Sequence, residues 1–314
     1  MSVVTIIIVN WNASGQLARA VASIAEHHEG VVEAVIVIDN ASRDNSLDHV
    51  EAMGKLPFPL KIIRNSENLG FAAACNQGAA IASTPYLLFL NPDTRLFAGS
   101  LSTPNAFMGD INNLSVGVSG IQLIDEEGRV ARSCARFPTP LTFILQSIGL
   151  NKLQWFRQFS LQMTEWNHTS TQTVDHVIGA FFLVRRSLFE QLQGFDPRFF
   201  VYLEDLDFSR RAASFGYKSV YLASARAFHA GGGTSSQVKA ARLFYSLRSR
   251  LFYSFKHFSL PSAWLVLLFT IIAEPFSRLA FSLLQGSRRD AAYTLIAYGS
   301  LLKALPSIIR TNCR

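Results

Sequence analysis

Val3-Val4-Thr5-Ile6-Ile7-Ile8-Val9-Asn10-Trp11-Asn12 decides the fold. Its β-branched run Val3–Val9 is short and nearly free of polar residues, the pattern of a parallel strand buried on both faces. Similar runs stand at Val32–Ile38, Leu60–Arg64 and Tyr86–Leu90. Helical patterns separate them. The first runs through Leu17, Val21 and Ile24 behind a possible cap at Ser14, the second over Ser46–Met53. The third is the Ala-rich Phe71–Ala82, entered through Asn68-Leu69-Gly70. This alternation predicts an α/β fold with a mostly parallel sheet and helices on both faces. Ligands of such sheets gather beyond the carboxyl ends of the strands, where Asp39 and Asp93 both stand.

Beyond Asp93 the pattern loosens. Val116–Ile124 reads as another strand, 125–172 as irregular, and Val174–Val184 as an apolar run interrupted by Gly179-Ala180. Glu204–Phe215 reads as a helix closed by Gly216, and Lys218–Leu222 as a short strand. His229 with Gly231–Gly233 reads as a loop.

The chain has 314 residues and a net charge of +7. From Lys239 to Arg314 eleven Lys/Arg face two acids, a balance of +9, which leaves the first 238 residues at −2. The expected division is therefore a body over 1–238 and a basic helical region over 239–314. In that region Arg242, Arg248, Arg250 and Lys256 intersperse with Leu243, Phe244, Leu247, Leu251, Phe252 and Phe255, as in a basic amphipathic helix at an anionic surface. Phe258–Ala273 is uncharged, and Glu274-Pro275 is expected to end it. A helix of that length reaches about 24 Å, short of a hydrocarbon core of about 30 Å, which favours lying on a bilayer over crossing it. The other reading packs 239–273 on the body or at a dimer interface.

Cys75, Cys134 and Cys313 make no C-x-x-C pair and fit a reducing, cytosolic compartment. Val3–Val9 lacks the basic leader of a signal peptide. No G-x-G-x-x-G follows the first strand, against a dinucleotide-dependent dehydrogenase. The slightly acidic body and the lack of a known motif argue against nucleic-acid binding.

Each candidate residue has a plain reading beside a chemical one. Asp39 suits an Asx turn, or a carboxylate that accepts the imide N–H of uracil or thymine. Asp93 suits a helix cap, or a ligand of Mg2+ or Mn2+, which favour carboxylate and phosphate oxygens. His229 is a solvated loop residue or a second ligand, followed by glycines whose backbone could approach a diphosphate. Glu204, Asp205 and Asp207 stabilise a helix N-terminus, or one of them takes a proton from an attacking hydroxyl. Asp205 and Asp207 lie two apart and cannot share a helix face, so at most one is the base. Arg185-Arg186 and Arg210-Arg211 are second-rank phosphate candidates.

Seven segments stand in a specific order: Ile7-Ile8-Val9-Asn10-Trp11-Asn12, Val37-Ile38-Asp39-Asn40-Ala41-Ser42-Arg43-Asp44, Glu67-Asn68-Leu69-Gly70-Phe71, Asn91-Pro92-Asp93, Gly194-Phe195-Asp196, Phe199-Phe200-Val201-Tyr202-Leu203-Glu204-Asp205-Leu206-Asp207 and His229-Ala230-Gly231-Gly232-Gly233. Through them the chain resembles the family 2 glycosyltransferases of the GT-A fold, in particular a bacterial rhamnosyltransferase-like branch. The resemblance runs from Val3 to about Ser235. It implies an inverting enzyme that moves a sugar from a nucleotide-sugar donor to a glycan acceptor, lipid-linked in many relatives, at the cytoplasmic face of the membrane during cell-surface polysaccharide synthesis. It implies that Asp39 reads the pyrimidine and that Asn10 and Asn68 belong to the nucleotide cleft. Asp93 then binds a divalent metal, Mg2+ or Mn2+, which His229 completes, and Asp205 is the base. Asn91 stands where relatives carry the first acid of a D-x-D motif. The best-fitting donor is dTDP-L-rhamnose. A UDP-hexose donor, or an inactive glycan-binding member of the fold, are the alternatives.

Overall fold

The computed structural model describes residues 3–231 and 238–312, so Gly232, Gly233 and Cys313 lie outside the described residues. The four runs read from the sequence form β1 (Val4–Asn10), β2 (Val32–Asp39), β3 (Leu60–Arg64) and β4 (Tyr86–Leu90). They pair in parallel in the order β3-β2-β1-β4. The helices between them are α1 (Gly15–Glu26), α2 (Ser46–Glu51) and α3 (Phe71–Ala80). Leu17, Val21 and Ile24 of α1 pack in the core with Ile6, Ile8, Val35 and Val37. On α3, Gly78 permits a close approach to β1, because a Cβ there would lie 2.6 Å from the Ile7 side chain. Ser14 stands before α1 with φ 48° and does not cap it; its backbone N–H donates to Asp44 Oδ2 at 2.7 Å and its hydroxyl faces the same oxygen. That left-handed turn carries the hydroxyl away from the helix end.

The sheet continues through β5 (Thr94–Leu96) and, after α4 (Ser102–Gly109), β6 (Val116–Ile124). The stretch expected to be irregular holds β7 (Cys134–Ala135) and α5 (Pro140–Ser147). Thr139 starts α5 with a reciprocal cap on Thr142, and Pro140 occupies the first helical position, where its missing N–H costs nothing. The apolar run near 180 is divided into β8 (Gln172–Val174), β9 (His176–Val177) and, past Gly179, β10 (Phe181–Arg185). β10 lies antiparallel between β4 and β6, so the sheet is mixed around a parallel core.

After α6 (Arg186–Gln191) comes α7 (Glu204–Ser214), then β11 (Lys218–His229). The short strand expected over Lys218–Leu222 thus runs on to His229, which ends a strand and is not in a loop. A register shift against β6 between Leu222 and Arg226 absorbs the polar interruption that hides the continuation in sequence. Among the described residues the main sheet has nine strands, with path order β3-β2-β1-β4-β10-β6-β11-β5 and β8 paired to β11 off that path.

The chain divides into two compact units. One comprises 1–135, 166–197 and 204–234 and contains the sheet. The other comprises 136–165, 198–203 and 235–314, so it takes two stretches of the expected body together with the basic region. Its helices are α5, α8 (Lys239–His257), α9 (Leu260–Leu268), α10 (Glu274–Leu284) and α11 (Arg288–Asn312). Glu274-Pro275 does not end the apolar helix. A π-helical turn over Phe269–Ala273 joins α9 to α10, and Pro275 falls in the first turn of α10, where the widened turn accommodates its ring. The resulting rod Leu260–Leu284 has 25 residues, and with Arg288–Thr311 it is one of two described helices long and apolar enough to cross a membrane.

Candidate active site

β1 and β2 end side by side, with Asn10 opposite Asp39. Asn10 is fully buried, and its Nδ2 donates to Asp39 Oδ1 at 2.7 Å, with Ser46 Oγ at 2.8 Å and Ser42 Oγ at 3.0 Å. Asp39 Oδ2 accepts from Ser42 N–H at 3.1 Å, so the turn reading of this acid is realised. Asn10 fixes the carboxylate from below, and Asn10 Oδ1 is a buried acceptor without a hydrogen bond among the described residues. Asn12 and Ala41 nearby both take left-handed backbone angles, φ 51° and 58°. Asn68 Oδ1 accepts from Gly70 N–H at 2.9 Å, and Gly70 O accepts from Asn40 Nδ2 at 3.1 Å. Asn40 Oδ1 in turn accepts from Asn65 Nδ2 at 2.8 Å. This asparagine network joins Asn68 to the Asp39 turn. Asn40 lies in one of the resemblance segments but has no role assigned there, and Asn65 lies in none, so no sequence signal marks it.

Asp93 follows β4 in a tight turn, and His229 ends β11. The antiparallel β5–β11 pairing sets His229 opposite Thr94, and Ala230 N–H donates to Asp93 O at 3.2 Å. The register therefore brings the two side chains together, with His229 Nε2 3.4 Å from Asp93 Oδ1 and side-chain exposures of 13% and 9%. One carboxylate and one imidazole form an oxygen–nitrogen donor pair that suits Mn2+ or Mg2+ when substrate phosphates supply further oxygens. Among the described residues no group of three His, Cys, Asp or Glu could hold a metal unaided.

Asp205 lies in the first turn of α7. Its Oδ2 accepts from Gly179 N–H at 2.8 Å and lies 3.4 Å from His176 Nε2, and its Oδ1 accepts from Leu206 N–H at 2.8 Å. Burial alone would raise its pKa, but His176 and these hydrogen bonds outweigh burial and hold the carboxyl below the usual range. The next residue along the Gly179 segment, Ala180, accepts through its carbonyl from Asn91 N–H at 3.1 Å and Thr94 Oγ1 at 3.3 Å. Gly179-Ala180 thus links Asp205 on one side to the Asn91-Pro92-Asp93 turn on the other.

The three acids of α7 separate by environment. Asp207 is fully buried and paired with Arg211 Nε at 2.8 Å, while Arg211 also holds the carbonyls of Leu192 and Gly194. Glu204 is 5% exposed with no hydrogen-bond partner for Oε2. Burial pushes its carboxyl well above the usual range, and the charges of Asp205 and Asp207 push the same way. Asp205 is held as a carboxylate with no guanidinium bonded to it, unlike Asp207, which Arg211 occupies. Of the arginines read as phosphate candidates, Arg185 and Arg186 are occupied elsewhere, as Arg211 is. Arg185 spends its guanidinium on the carbonyls of Val116, Met108 and Asn113, and Arg186 on Thr84 O and Glu190. His176, Ser209 and Gly179 were not legible as site residues, since each sits singly in an apolar or helical run.

A family-wide sequence profile described as glycosyl transferase family 2 matches residues 5–193. An N-acetylglucosaminyl-diphospho-decaprenol L-rhamnosyltransferase of Mycobacterium tuberculosis is 26% identical over 256 residues, 77% of this chain and 80% of that protein. The rhamnosyltransferase WbbL of Escherichia coli is 29% identical over 151 residues, 47% of this chain and 53% of its own. Among solved structures, a mannosyltransferase of Pyrobaculum calidifontis in complex with GDP-Man and Mn2+ superposes with a TM-score of 0.53 at 20% identity, covering 98% of this chain and 82% of its own. The sheet order, the acids at its carboxyl edge and the profile match agree: the chain belongs to glycosyl transferase family 2 and is a glycosyltransferase.

Proposed function

We propose that this glycosyltransferase inverts the anomeric centre of its donor in a single displacement, with Asp205 as the general base. The observation that carries the reading is the Gly179-Ala180 link, which sets an ionised, part-buried carboxylate beside the turn bearing the Asp93–His229 pair. In the reaction the acceptor oxygen bonds to the anomeric carbon, the bond from that carbon to the diphosphate oxygen breaks, and the diphosphate leaves with the electron pair. The acceptor proton passes to Asp205. A carboxylate is a weak base toward a resting alcohol, but the alcohol acidifies as the new bond forms, so placement dominates. Asp93 and His229 would hold the divalent cation, which when bound offsets the charge that grows on the departing diphosphate. Asp39, braced by Asn10, reads the imide N–H of a pyrimidine, and Asn68 borders the same cleft.

The donor proposed is dTDP-L-rhamnose and the acceptor a glycan on a polyprenyl diphosphate, in cell-surface polysaccharide synthesis. The activities in the names of the mycobacterial and Escherichia coli relatives support this assignment. The helices of the second unit seat the enzyme on the cytoplasmic face of the membrane, where a lipid-linked acceptor resides. Their net basic character and exposed apolar side chains support that placement.

The test is a panel of dTDP- and UDP-sugars scored for donor binding by thermal shift, and for transfer with and without Mn2+ or Mg2+. Asp205→Asn is expected to abolish transfer, by roughly 10³-fold or more, while donor binding persists. Full transfer by that variant would remove Asp205 from the mechanism. Binding of UDP-hexoses alone would overturn the rhamnosyl assignment.

A further inference from the structure

Ser209 lies one turn beyond Asp205 on α7. Its hydroxyl carries a single proton and donates it to the Asp205 backbone carbonyl at 3.0 Å. Toward His176 Nδ1, 3.1 Å away, Ser209 Oγ can then only accept, so Nδ1 bears a hydrogen. The other ring nitrogen, Nε2, lies 3.4 Å from Asp205 Oδ2. Were Nε2 bare, its lone pair would face a carboxylate oxygen inside a pocket where both side chains are nearly buried, at 6% and 13% exposure. Two acceptors facing each other in low dielectric are costly.

From this geometry we infer that His176 and Asp205 share a proton as an imidazolium–carboxylate pair, making His176 the positioning residue that keeps the base ionised and aimed. The inference rests on the reading of Asp205 as base. The surroundings give the pair its purpose. Glu204 adjoins Asp205 on the same helix, buried and without a partner for Oε2, and Asp207 is spoken for by Arg211. Cys75 of α3 is buried nearby, its thiol pushed up first by burial and then by Glu204 and Asp205. Two adjacent buried carboxyls cannot both ionise cheaply. The imidazolium on the Asp205 side decides which one does. Oδ2 is engaged by Gly179 and His176, and Oδ1, with one hydrogen bond from Leu206 N–H, keeps a lone pair for the acceptor proton. The aromatic ring of Phe182 lies near the imidazole, with centroids 6.4 Å apart.

The direct experiment is nitrogen NMR of the full chain labelled with 15N-histidine, His176 being assigned by the signals lost in His176→Gln. Both ring nitrogens are expected to read as protonated at neutral pH. A single protonated nitrogen would overturn the inference: with the proton on Nε2 alone Ser209 donates to a bare Nδ1, and with it on Nδ1 alone a bare Nε2 faces the carboxylate. A kinetic arm tests the consequence. An opposite charge beside a carboxylate lowers its pKa, so its removal moves the acid limb of kcat/KM upward, by about one pH unit or more, in both His176→Gln and His176→Ala. A loss of kcat/KM with an unmoved limb, restored by Gln, would assign His176 a packing role only. The two readings fail separately: an active Asp205→Asn sinks the base whatever the NMR shows, and a neutral ring sinks the shared proton even if Asp205→Asn is dead.

Discussion

Glu204 and Asp205 are neighbours in sequence with opposite fates, and the contrast is measurable. Because the Glu204 pKa is raised in the folded protein, its contribution to stability is whole below the ordinary glutamate range near 4.5 and drains away as pH climbs toward the folded value. Glu204→Gln removes that drain. Thermal melts are therefore expected to show the variant gaining on the parent as pH rises from 4.5 to 8, each 1 kcal/mol appearing as about 2–4 °C. A constant offset across that range would contradict the buried, protonated state. Gly179 offers a second residue-scale test. A Cβ there would stand 3.0 Å from Asp205 Oδ2, and the carboxylate must shift to admit it. Gly179→Ala is expected to lower kcat by about 10- to 100-fold with donor affinity retained, the size of effect a sub-ångström displacement of a reacting group produces. At this scale the sequence was legible for placement: Asp39 and Asp93 stand at the carboxyl edge of the parallel strands as read. It named Asn10 only through the family resemblance, without the bracing of Asp39 that the fold reveals, and it was mute for His176, which reaches Asp205 only because β9 and α7 meet in the folded chain.

At the scale of elements, the parallel core was readable because each buried strand is a continuous apolar run between helical periods. Two elements were not. β11 hides its second half behind Ala223-Ser224-Ala225-Arg226, and only pairing with β6 and β5 reveals it. The rod Leu260–Leu284 passes through Glu274-Pro275, a pair that reads as a stop. Glu274 is retained there because it is an ion-pair centre: Arg250 of α8 and Arg278 of α10 both bond its carboxylate, and Ser147 of α5 donates to it at 3.2 Å. Burial alone would raise its pKa, but the two guanidinium groups overcome burial and lower it. The stability it lends is thus present above about pH 4.5 and lost as pH falls through the folded value. Glu274→Ala leaves the buried Arg250 unpaired and is expected to cost about 3–5 kcal/mol in chemical denaturation. The double change Arg250→Met with Glu274→Leu is expected to recover most of it, because an apolar pair of similar volume needs no partner.

For the whole molecule, the separation of charge read from the sequence becomes a surface with two properties. Trp264, Leu268, Ile272 and Phe276 recur every fourth residue along the rod and are exposed by 41%, 47%, 52% and 70%. α8 packs along α11 and carries Lys239, Arg242, Arg248 and Lys256, so a rod and α11 crossing a bilayer would drag those cations into hydrocarbon. Under the proposed membrane placement, the helices would lie in the membrane plane with the four apolar side chains turned into the headgroup boundary. Changing Trp264, Leu268 and Phe276 to Ser is expected to weaken sedimentation with phosphatidylglycerol vesicles at least about tenfold, while thermal stability and donor binding hold. Raised salt should weaken the parent's binding as well, since part of the attraction is screened. Unchanged sedimentation of the triple variant would send the contact elsewhere. The strand pairing that closes the Asp93–His229 pair also imposes an order of assembly. Asp93 follows the fourth strand and His229 ends the last, so the two side chains meet only once the end of β11 has docked on β5. A chain clipped before His229 would keep Asp93 and lose its partner, leaving one of the two proposed cation ligands.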